Sequence, residues 1–126
     1  MKIQLGFIGT GNMGGALARA AARIVDPKGI LLSNRTFAKA EKLAEAIRCG
    51  FGENERVFRE SRFLVFGVKP QMMQKVLAEA APHLKERQER GERFILVTMA
   101  ATSALLMLVS GAKVPFVSFP TRTPAR

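Results

Sequence analysis

The sequence has 126 residues, of which 48% are hydrophobic, and carries a formal net charge of +10. This length and composition fit one domain with a buried core and exclude a disordered tail. No apolar run reaches the roughly 20 residues that a membrane-spanning helix requires. A single cysteine, Cys49, and a single histidine, His83, exclude an internal disulfide and give no support to a Cys/His metal site. We expect a cytoplasmic protein without a bound metal or a membrane partner.

The excess of basic residues favours anionic partners, such as nucleic acid or a phosphorylated cofactor. The basic residues are spread along the chain, and their densest run, residues 85–93, alternates in sign. This pattern is typical of a solvated helix end and loop, and no aromatic side chains are interleaved with it. We therefore predict no nucleic-acid partner.

The first thirty residues predict a strand, a glycine-rich turn, a helix and a second strand. Residues 3–8 have strand character, residues 13–24 favour a helix that breaks at Asp26-Pro27, and residues 29–32 are apolar again. The turn Gly9-Thr10-Gly11-Asn12-Met13-Gly14 has the G-x-G-x-x-G spacing. In a dinucleotide-binding unit these glycines permit a tight turn, a close approach to the pyrophosphate, and tight packing of helix on strand.

The residues after the second strand indicate which dinucleotide binds. NAD-binding units carry an Asp or Glu about 20 residues beyond the glycines, where it accepts hydrogen bonds from the ribose hydroxyls. Here the sequence is Ser33-Asn34-Arg35-Thr36, without an acid. Arg35 offers a planar set of donors suited to phosphate, and its neighbours can add neutral hydrogen bonds. This favours NADP(H); the alternative is that Thr36 caps the next helix and Arg35 is an ordinary surface residue.

The remaining sequence alternates helices and strands. Apolar residues at positions 40, 43, 44 and 47 predict a helix that stops at Gly50, and Asn54 is placed to cap a short helix. Residues 63–66 and 94–97 are apolar without alternation, as parallel strands covered on both faces must be. Between them, Pro70 begins a helix with apolar residues at positions 73, 76, 77 and 80. A short helix from Ser103 to position 109 and a strand over residues 114–119 follow.

This alternation predicts an α/β fold: a Rossmann-like, doubly wound, mostly parallel sheet in a single domain over residues 1–126. Ligands of such sheets bind outside the carboxyl ends of the strands. Small polar or glycine-containing turns occur at those ends, over residues 9–13, 33–36, 67–70 and 99–102. We expect these four turns to converge on one crevice.

Several motifs resemble the amino-terminal half of pyrroline-5-carboxylate reductases, which reduce a cyclic imine to proline with NAD(P)H. The resemblance rests on these segments: Phe7-Ile8-Gly9-Thr10-Gly11-Asn12-Met13-Gly14, Ser33-Asn34-Arg35-Thr36, Val68-Lys69-Pro70-Gln71, Met99-Ala100-Ala101 and Thr123-Pro124-Ala125. It covers nearly the whole chain. Its glycine turn is shared with many dehydrogenases, whereas Asn-Arg-Thr followed by Val-Lys-Pro is moderately specific.

The resemblance implies an NADP(H)-dependent oxidoreductase of proline biosynthesis with an imine substrate, and it implies a set of cofactor contacts. These would be Ile8, Gly9, Thr10, Gly11, Asn12 and Met13 for the pyrophosphate; Asn34, Arg35 and Thr36 for the adenosine phosphate, with Asn54 near the adenosine; and Gly67, Val68, Lys69, Pro70, Met99, Ala100 and Ala101 beside the nicotinamide. No catalytic residue is assigned.

The sequence also departs from the family. Thr102 stands where the family has a glycine, Arg122 where it has an asparagine, and the family's helical carboxyl-terminal domain, which supplies dimerisation and most of the imine pocket, is missing. Three alternatives therefore stay open: a reductase present as its cofactor domain or a truncated form, a non-catalytic NADP-binding module that needs a partner chain or a homo-oligomer, and a deazaflavin:NADP reductase-like protein.

Overall fold

The computed structural model describes residues 3–9, 12–98 and 116–118. Its strands are β1 (Ile3–Ile8), β2 (Ile30–Ser33), β3 (Gly50–Phe51), β4 (Ser61–Phe66), β5 (Ile95–Thr98) and β6 (Phe116–Ser118). Its helices are α1 (Asn12–Ala21), α2 (Phe37–Ile47), α3 (Asn54–Glu60) and α4 (Pro70–Glu89), and a 3-10 turn at Pro27–Gly29 precedes β2.

The six strands form one sheet in the order β3-β2-β1-β4-β5-β6. All neighbouring pairs are parallel. The chain builds outward from β1 to β3, then returns to the other side of β1 with β4, so the direction of winding reverses between β1 and β4. The predicted Rossmann-like, doubly wound sheet is confirmed, and its topological switch point lies between β1 and β4.

Two hydrophobic clusters cover the two faces of the sheet. On one face, Ile8, Leu31 and Leu64 pack with residues of α3 and α4, among them Phe58 and Leu77. On the other face, the adjacent strand residues pack with α1 and α2 in a second cluster that includes Phe7, Leu32, Val65, Ala18 and Ala40. Successive strand residues are thus buried on opposite sides, which explains why the strands read as continuous apolar runs.

The carboxyl end of α2 differs from the prediction. The helix ends at Ile47, and Arg48 takes the left-handed conformation with φ of 59°. The amide of Arg48 donates to the carbonyl of Ala44, and the amide of Cys49 donates to the same carbonyl at 3.0 Å. Because this satisfies a terminal carbonyl without a glycine, Gly50 does not stop the helix. It begins β3 instead.

The role predicted for Asn54 as a helix cap is also wrong. The N-cap position of α3 is Glu53, and Asn54 is the first helical residue. The side chain of Asn54 accepts a hydrogen bond from the hydroxyl of Ser33, a residue that is only 2% exposed. A buried hydroxyl needs an acceptor, and this pairing uses the amide oxygen that capping would have needed.

The charged run near the end of α4 is only partly solvated. The helix continues to Glu89, and Arg87 lies within it with a side chain that is 5% exposed. Its Nη1 donates to the carbonyls of Phe58 at 2.9 Å and Ser61 at 2.7 Å. Because α3 ends at Glu60, these carbonyls include one that the helix leaves open, and a buried cation satisfies it better than water could. The expectation of a fully solvated run is therefore wrong for Arg87.

The other elements differ from prediction only at their ends, as with β4, which begins at Ser61, and α1, whose last predicted turn is not helical. Pro70 begins α4 as predicted. The helix expected from Ser103 to position 109 lies outside the described residues. Among the described helices, none is both long and apolar enough to cross a membrane.

Candidate functional site

The register of the sheet brings the ends of its strands to one level. Ile8 pairs with Ser33 on one side and with Phe66 on the other. Phe66 in turn pairs with Thr98, which pairs with Ser118. The strands therefore end along one boundary, which we call the carboxyl edge, and the described residues after β1, β2 and β4 leave the sheet side by side there. The predicted convergence of the turns after β1, β2 and β4 is seen in the described residues.

The turn after β1 begins at a residue that only glycine suits. Gly9 has φ of +91°, and its amide donates to the carbonyl of Ser33 at 2.8 Å. A Cβ on Gly9 would lie 2.9 Å from the carbonyl carbon of Gly67 and 3.0 Å from Val68 Cγ1. Both the dihedral angle and the space exclude a side chain here, as predicted for the first glycine of the motif.

Gly14 and Gly67 complete a three-glycine contact with Gly9. A Cβ on Gly14 would lie 2.3 Å from the Gly9 carbonyl oxygen, and one on Gly67 would lie 2.8 Å from the same oxygen. The amide of Gly67 also donates to the carbonyl of Ile8 at 2.7 Å. The first turn of α1 is thereby packed backbone to backbone against the ends of β1 and β4, at the switch point of the sheet. The motif predicts the close packing of Gly14 on the strand. The contact of Gly67 with Gly9 joins distant positions, and its only signal in the sequence is that Gly67 follows a strand.

The segment after β2 presents one cation to solvent. Arg35 is exposed and, within the described part of the chain, makes no hydrogen bond or ion pair. Asn34 Nδ2 donates to the carbonyl of Thr36 at 3.1 Å, which shapes the turn locally. Thr36 occupies the N-cap position of α2, but its side chain makes no capping hydrogen bond. The structure therefore gives no support to capping by the Thr36 hydroxyl as the reason for this sequence.

Ser33 connects three parts of the carboxyl edge. Its carbonyl accepts a hydrogen bond from the amide of Gly9, and its hydroxyl donates one to the side chain of Asn54 at the start of α3. Sequence reasoning placed Ser33 and Asn54 near one ligand but missed their direct contact, because a pairing between positions 21 residues apart has no sequence signal. Asn54 is thereby fixed beside the end of β2.

The turn after β4 adds a second cation. Lys69 is exposed at the N-cap position of α4, its side chain makes no capping hydrogen bond, and Val68 packs against the core. Ile8 is buried in the core, so its side chain cannot face a ligand. Asn12, Met13 and Pro70 begin helices at this edge, and their side chains are not described. Thr10, Gly11, Met99, Ala100 and Ala101 lie outside the described residues, as do Thr102 and Arg122.

Among the described residues of the carboxyl edge, segments 33–36 and 67–70 contain no His, Cys, Asp or Glu. Cys49 lies between α2 and β3, away from this edge, and burial raises its pKa to about 11, so it is a neutral thiol at neutral pH. His83 lies within α4 and stacks on Phe58. Among the described residues, no three His, Cys, Asp or Glu side chains are grouped to hold a metal ion. The described residues of the edge present backbone groups and the two cations Arg35 and Lys69.

The fold and these turns define a doubly wound α/β domain with a glycine turn at its switch point. Residues 4–98 match the family described as NADP oxidoreductase, coenzyme F420-dependent, and the chain belongs to that family. The resemblance to pyrroline-5-carboxylate reductases is confirmed by the individual relatives that follow.

The chain is 32% identical over 88 residues to ComE operon protein 4 of Bacillus subtilis, covering 67% of this chain and 32% of that protein. It is 30% identical over 103 residues to pyrroline-5-carboxylate reductase of Arabidopsis thaliana, covering 79% of this chain and 35% of that enzyme. The structure of Plasmodium falciparum pyrroline carboxylate reductase with NADP bound is 25% identical, with a TM-score of 0.67 over 92% of this chain and 41% of that one. The chain thus spans about a third of the length of these curated relatives.

Proposed function

We propose that this chain is an NADP(H)-binding domain, formed by residues 1–126, of an oxidoreductase that reduces a C=N bond. The observation that carries the proposal is the three-glycine contact at the switch point, combined with Arg35 one strand away, which has no ion-pair partner among the described residues. The family and the NADP-bound relative support the same cofactor.

The residues at the carboxyl edge fit a dinucleotide. Gly9, Gly14 and Gly67 pack backbone to backbone and set the start of α1 against the end of β1. Gly11, the second glycine of the motif, would let a pyrophosphate approach the backbone. The amides at the start of α1 add the positive end of a ten-residue helix, whose first turn carries no acid. We assign the predicted contacts after β1, from Ile8 to Met13, to this pyrophosphate.

Arg35 supplies the selection of NADP(H) over NAD(H). Within the described part of the chain its guanidinium has no acid to neutralise it, so it is available for the 2′-phosphate of the adenosine ribose. No Asp or Glu occurs from position 30 to position 40, so the turn lacks the carboxylate that would repel a phosphate. Asn34, Thr36 and Asn54 would complete the adenosine side.

The turns after β4 and β5 would hold the nicotinamide. Bound there, NADPH would supply a hydride from C4 of its nicotinamide ring to the imine carbon, and a proton from solvent would complete the nitrogen, giving proline and NADP⁺ when the substrate is 1-pyrroline-5-carboxylate. The chain's own part is to orient that ring with residues 67–70 and 99–101. Lys69, exposed at the N-cap position of α4, keeps this end of the edge positively charged, which suits a carboxylate-bearing substrate.

Cofactor titrations test the binding step. We expect NADPH to bind at least about tenfold more tightly than NADH, and Arg35→Gln to remove that preference by weakening NADPH alone, as loss of a charge-assisted hydrogen bond predicts. Arg19→Gln is the matched control, because Arg19 is also exposed and lies on the outer face of α1. Equal affinities for the two cofactors in the wild type would contradict the assignment of Arg35.

Turnover is tested separately by following NADPH absorbance with 1-pyrroline-5-carboxylate. Oxidation of NADPH supports a complete reductase of this proline-forming step, whereas tight NADPH binding without turnover supports a module that needs a partner chain. The family's description favours a second candidate acceptor, the deazaflavin coenzyme F420. If NADPH is oxidised when F420 is added but not when the imine is added, the hydride acceptor is the deazaflavin and not the imine.

A further inference from the structure

A second charged site lies at the opposite boundary of the sheet, where the strands begin. A groove of about 520 Å³ opens there, lined by Gln4, Arg59, Arg62, Arg87, Glu92 and Arg93 together with Glu60 and Gly91. A cavity of about 420 Å³ adjoins it and shares Arg62, Glu92 and Arg93. We call the first of these the amino-edge groove. Its volume is in the range of sites for small molecules.

The acids of the groove are already engaged by cations. One oxygen of Glu92 accepts from Arg87 Nε at 3.0 Å, and the other accepts from Arg90 Nε at 2.9 Å and lies 2.8 Å from Arg90 Nη2. Glu60 accepts from Arg56 Nε at 3.1 Å. Neither carboxylate is left to neutralise a further arginine of the groove.

Two arginines of the groove have no acid. Arg62 and Arg93 are exposed, and neither makes an ion pair or a hydrogen bond in the described part of the chain. They stand at the start of neighbouring strands, because Phe63 of β4 pairs with Ile95 of β5. Arg87 of α4 is buried, and its guanidinium bonds two carbonyls and Glu92, so that one wall of the groove is a fixed cation.

The excess of cations in the amino-edge groove is local, because a neighbouring cavity has a different balance of charges. A cavity of about 670 Å³ along α3 is lined by Glu53, Glu55 and Glu60 with Arg56, Arg59 and Arg90, so its acids and bases balance. In the amino-edge groove, the cations exceed the acids and two of them are unpaired. Such a site favours a ligand with clustered anionic oxygens.

We propose that the amino-edge groove binds a small dianion, in which a phosphate or carboxylate group is held by Arg62 and Arg93. The two guanidinium groups donate to its oxygens, and the amide of Gln4 adds a neutral donor beside them. This site is separate from the carboxyl edge and does not depend on the assignment of the cofactor.

Calorimetric titration of the 126-residue chain with inorganic phosphate and, separately, with succinate, both dianions slightly above neutral pH, tests the proposal. We expect saturable binding of at least one anion, and the double variant Arg62→Gln/Arg93→Gln should weaken it by at least about tenfold, the effect of losing one charge-assisted hydrogen bond. Arg62→Lys/Arg93→Lys should bind with intermediate affinity, because it keeps the charge but loses the planar fork. The anion that binds more tightly identifies the ligand as a phosphate or a carboxylate.

The matched control is Arg19→Gln/Arg23→Gln, which removes the same charge from two exposed arginines that do not line the groove. It should bind the anion like the wild type. The proposal is overturned if neither anion binds saturably, or if both double variants lose binding equally, since net charge alone would then explain the effect.

Discussion

The two edges of the sheet are held together by different means. At the carboxyl edge, Gly9, Gly14 and Gly67 bring together the ends of β1 and β4 and the start of α1. Arg35 and Lys69 are exposed there and make no ion pair with any described residue. At the amino edge, side chains make the contacts, with Arg87 joining α3, α4 and the loop before β5. The first arrangement leaves backbone and charge open to a ligand. The second uses its buried charge for stability.

We expect substitutions at the amino edge to affect mainly the stability of the fold. Arg87→Met removes the donor to two buried carbonyls and to Glu92, and we expect a loss of about 3–5 kcal/mol in the free energy of unfolding. Arg90→Met is the control, because Arg90 bonds the same Glu92 with a side chain that is 46% exposed. It should cost far less than Arg87→Met, because exposed ion pairs contribute little to stability. Urea unfolding measures both, and equal costs would contradict a special role for Arg87.

Substitution of one glycine at each edge allows a direct comparison of the two edges. Gly9 and Gly91 both have positive φ, at 91° and 75°, but a Cβ on Gly91 would meet nothing within 4 Å. We expect Gly91→Ala to cost about 1–2 kcal/mol from backbone strain alone and to leave NADPH affinity unchanged. Gly9→Ala adds a collision with Gly67 and should cost at least about 2 kcal/mol and abolish NADPH binding.

Thermal unfolding and NADPH titration of the two variants separate these effects. If Gly9→Ala binds NADPH as tightly as Gly91→Ala does, the three-glycine contact is not part of the cofactor site.

The smallest expected effect is the pH dependence of the amino-edge network. Burial alone would raise the pKa of the Glu92 carboxyl, but hydrogen bonds from Arg90 and Arg87 and their charges bring it below its ordinary value of 4.5. A carboxylate with a lowered pKa stabilises the fold above the ordinary pKa, and this contribution disappears as the pH falls through the folded-state pKa. Since the Glu92 side chain is 33% exposed, we expect no more than about 1 kcal/mol.

Comparison of the wild type with Glu92→Gln isolates this term. Urea unfolding between about pH 3 and pH 7 measures the difference in free energy of unfolding between the two proteins. This difference should be constant above about pH 5 and shrink below the ordinary pKa of the carboxyl. A difference that does not change with pH would show that Glu92 titrates alike in the folded and unfolded chains.

The alternation of strands and helices could be predicted because it depends on local patterns. Continuous apolar strands such as 63–66, helical spacing over positions 40–47 and the start of α4 at Pro70 all carry their own signal. The strand Gly50–Phe51 was missed because two residues are too few to show a pattern. The glycine turn was predicted from its spacing, and in the described residues Gly9 and Gly14 occupy positions that leave no room for a side chain.

The features that escaped prediction depend on contacts between distant positions. Arg87 lies in a run that resembles a solvated surface, and it is buried because Phe58 and Ser61, 29 and 26 positions away, present open carbonyls. The contact of Gly67 with Gly9 and the link from Ser33 to Asn54 arise in the same way, from the pairing of strands. The sequence predicts candidate residues for the site, and the pairing of strands determines which of the described ones are in contact.

The central claim is that the cofactor binds at the carboxyl edge. The most direct test is titration of isotopically labelled protein with NADPH, followed by the shifts of its backbone amides. The account predicts that the large shifts fall on residues 8–14, 33–36, 54 and 67–69. Large shifts confined to residues 87–93, or no saturable shift at any residue, would contradict it.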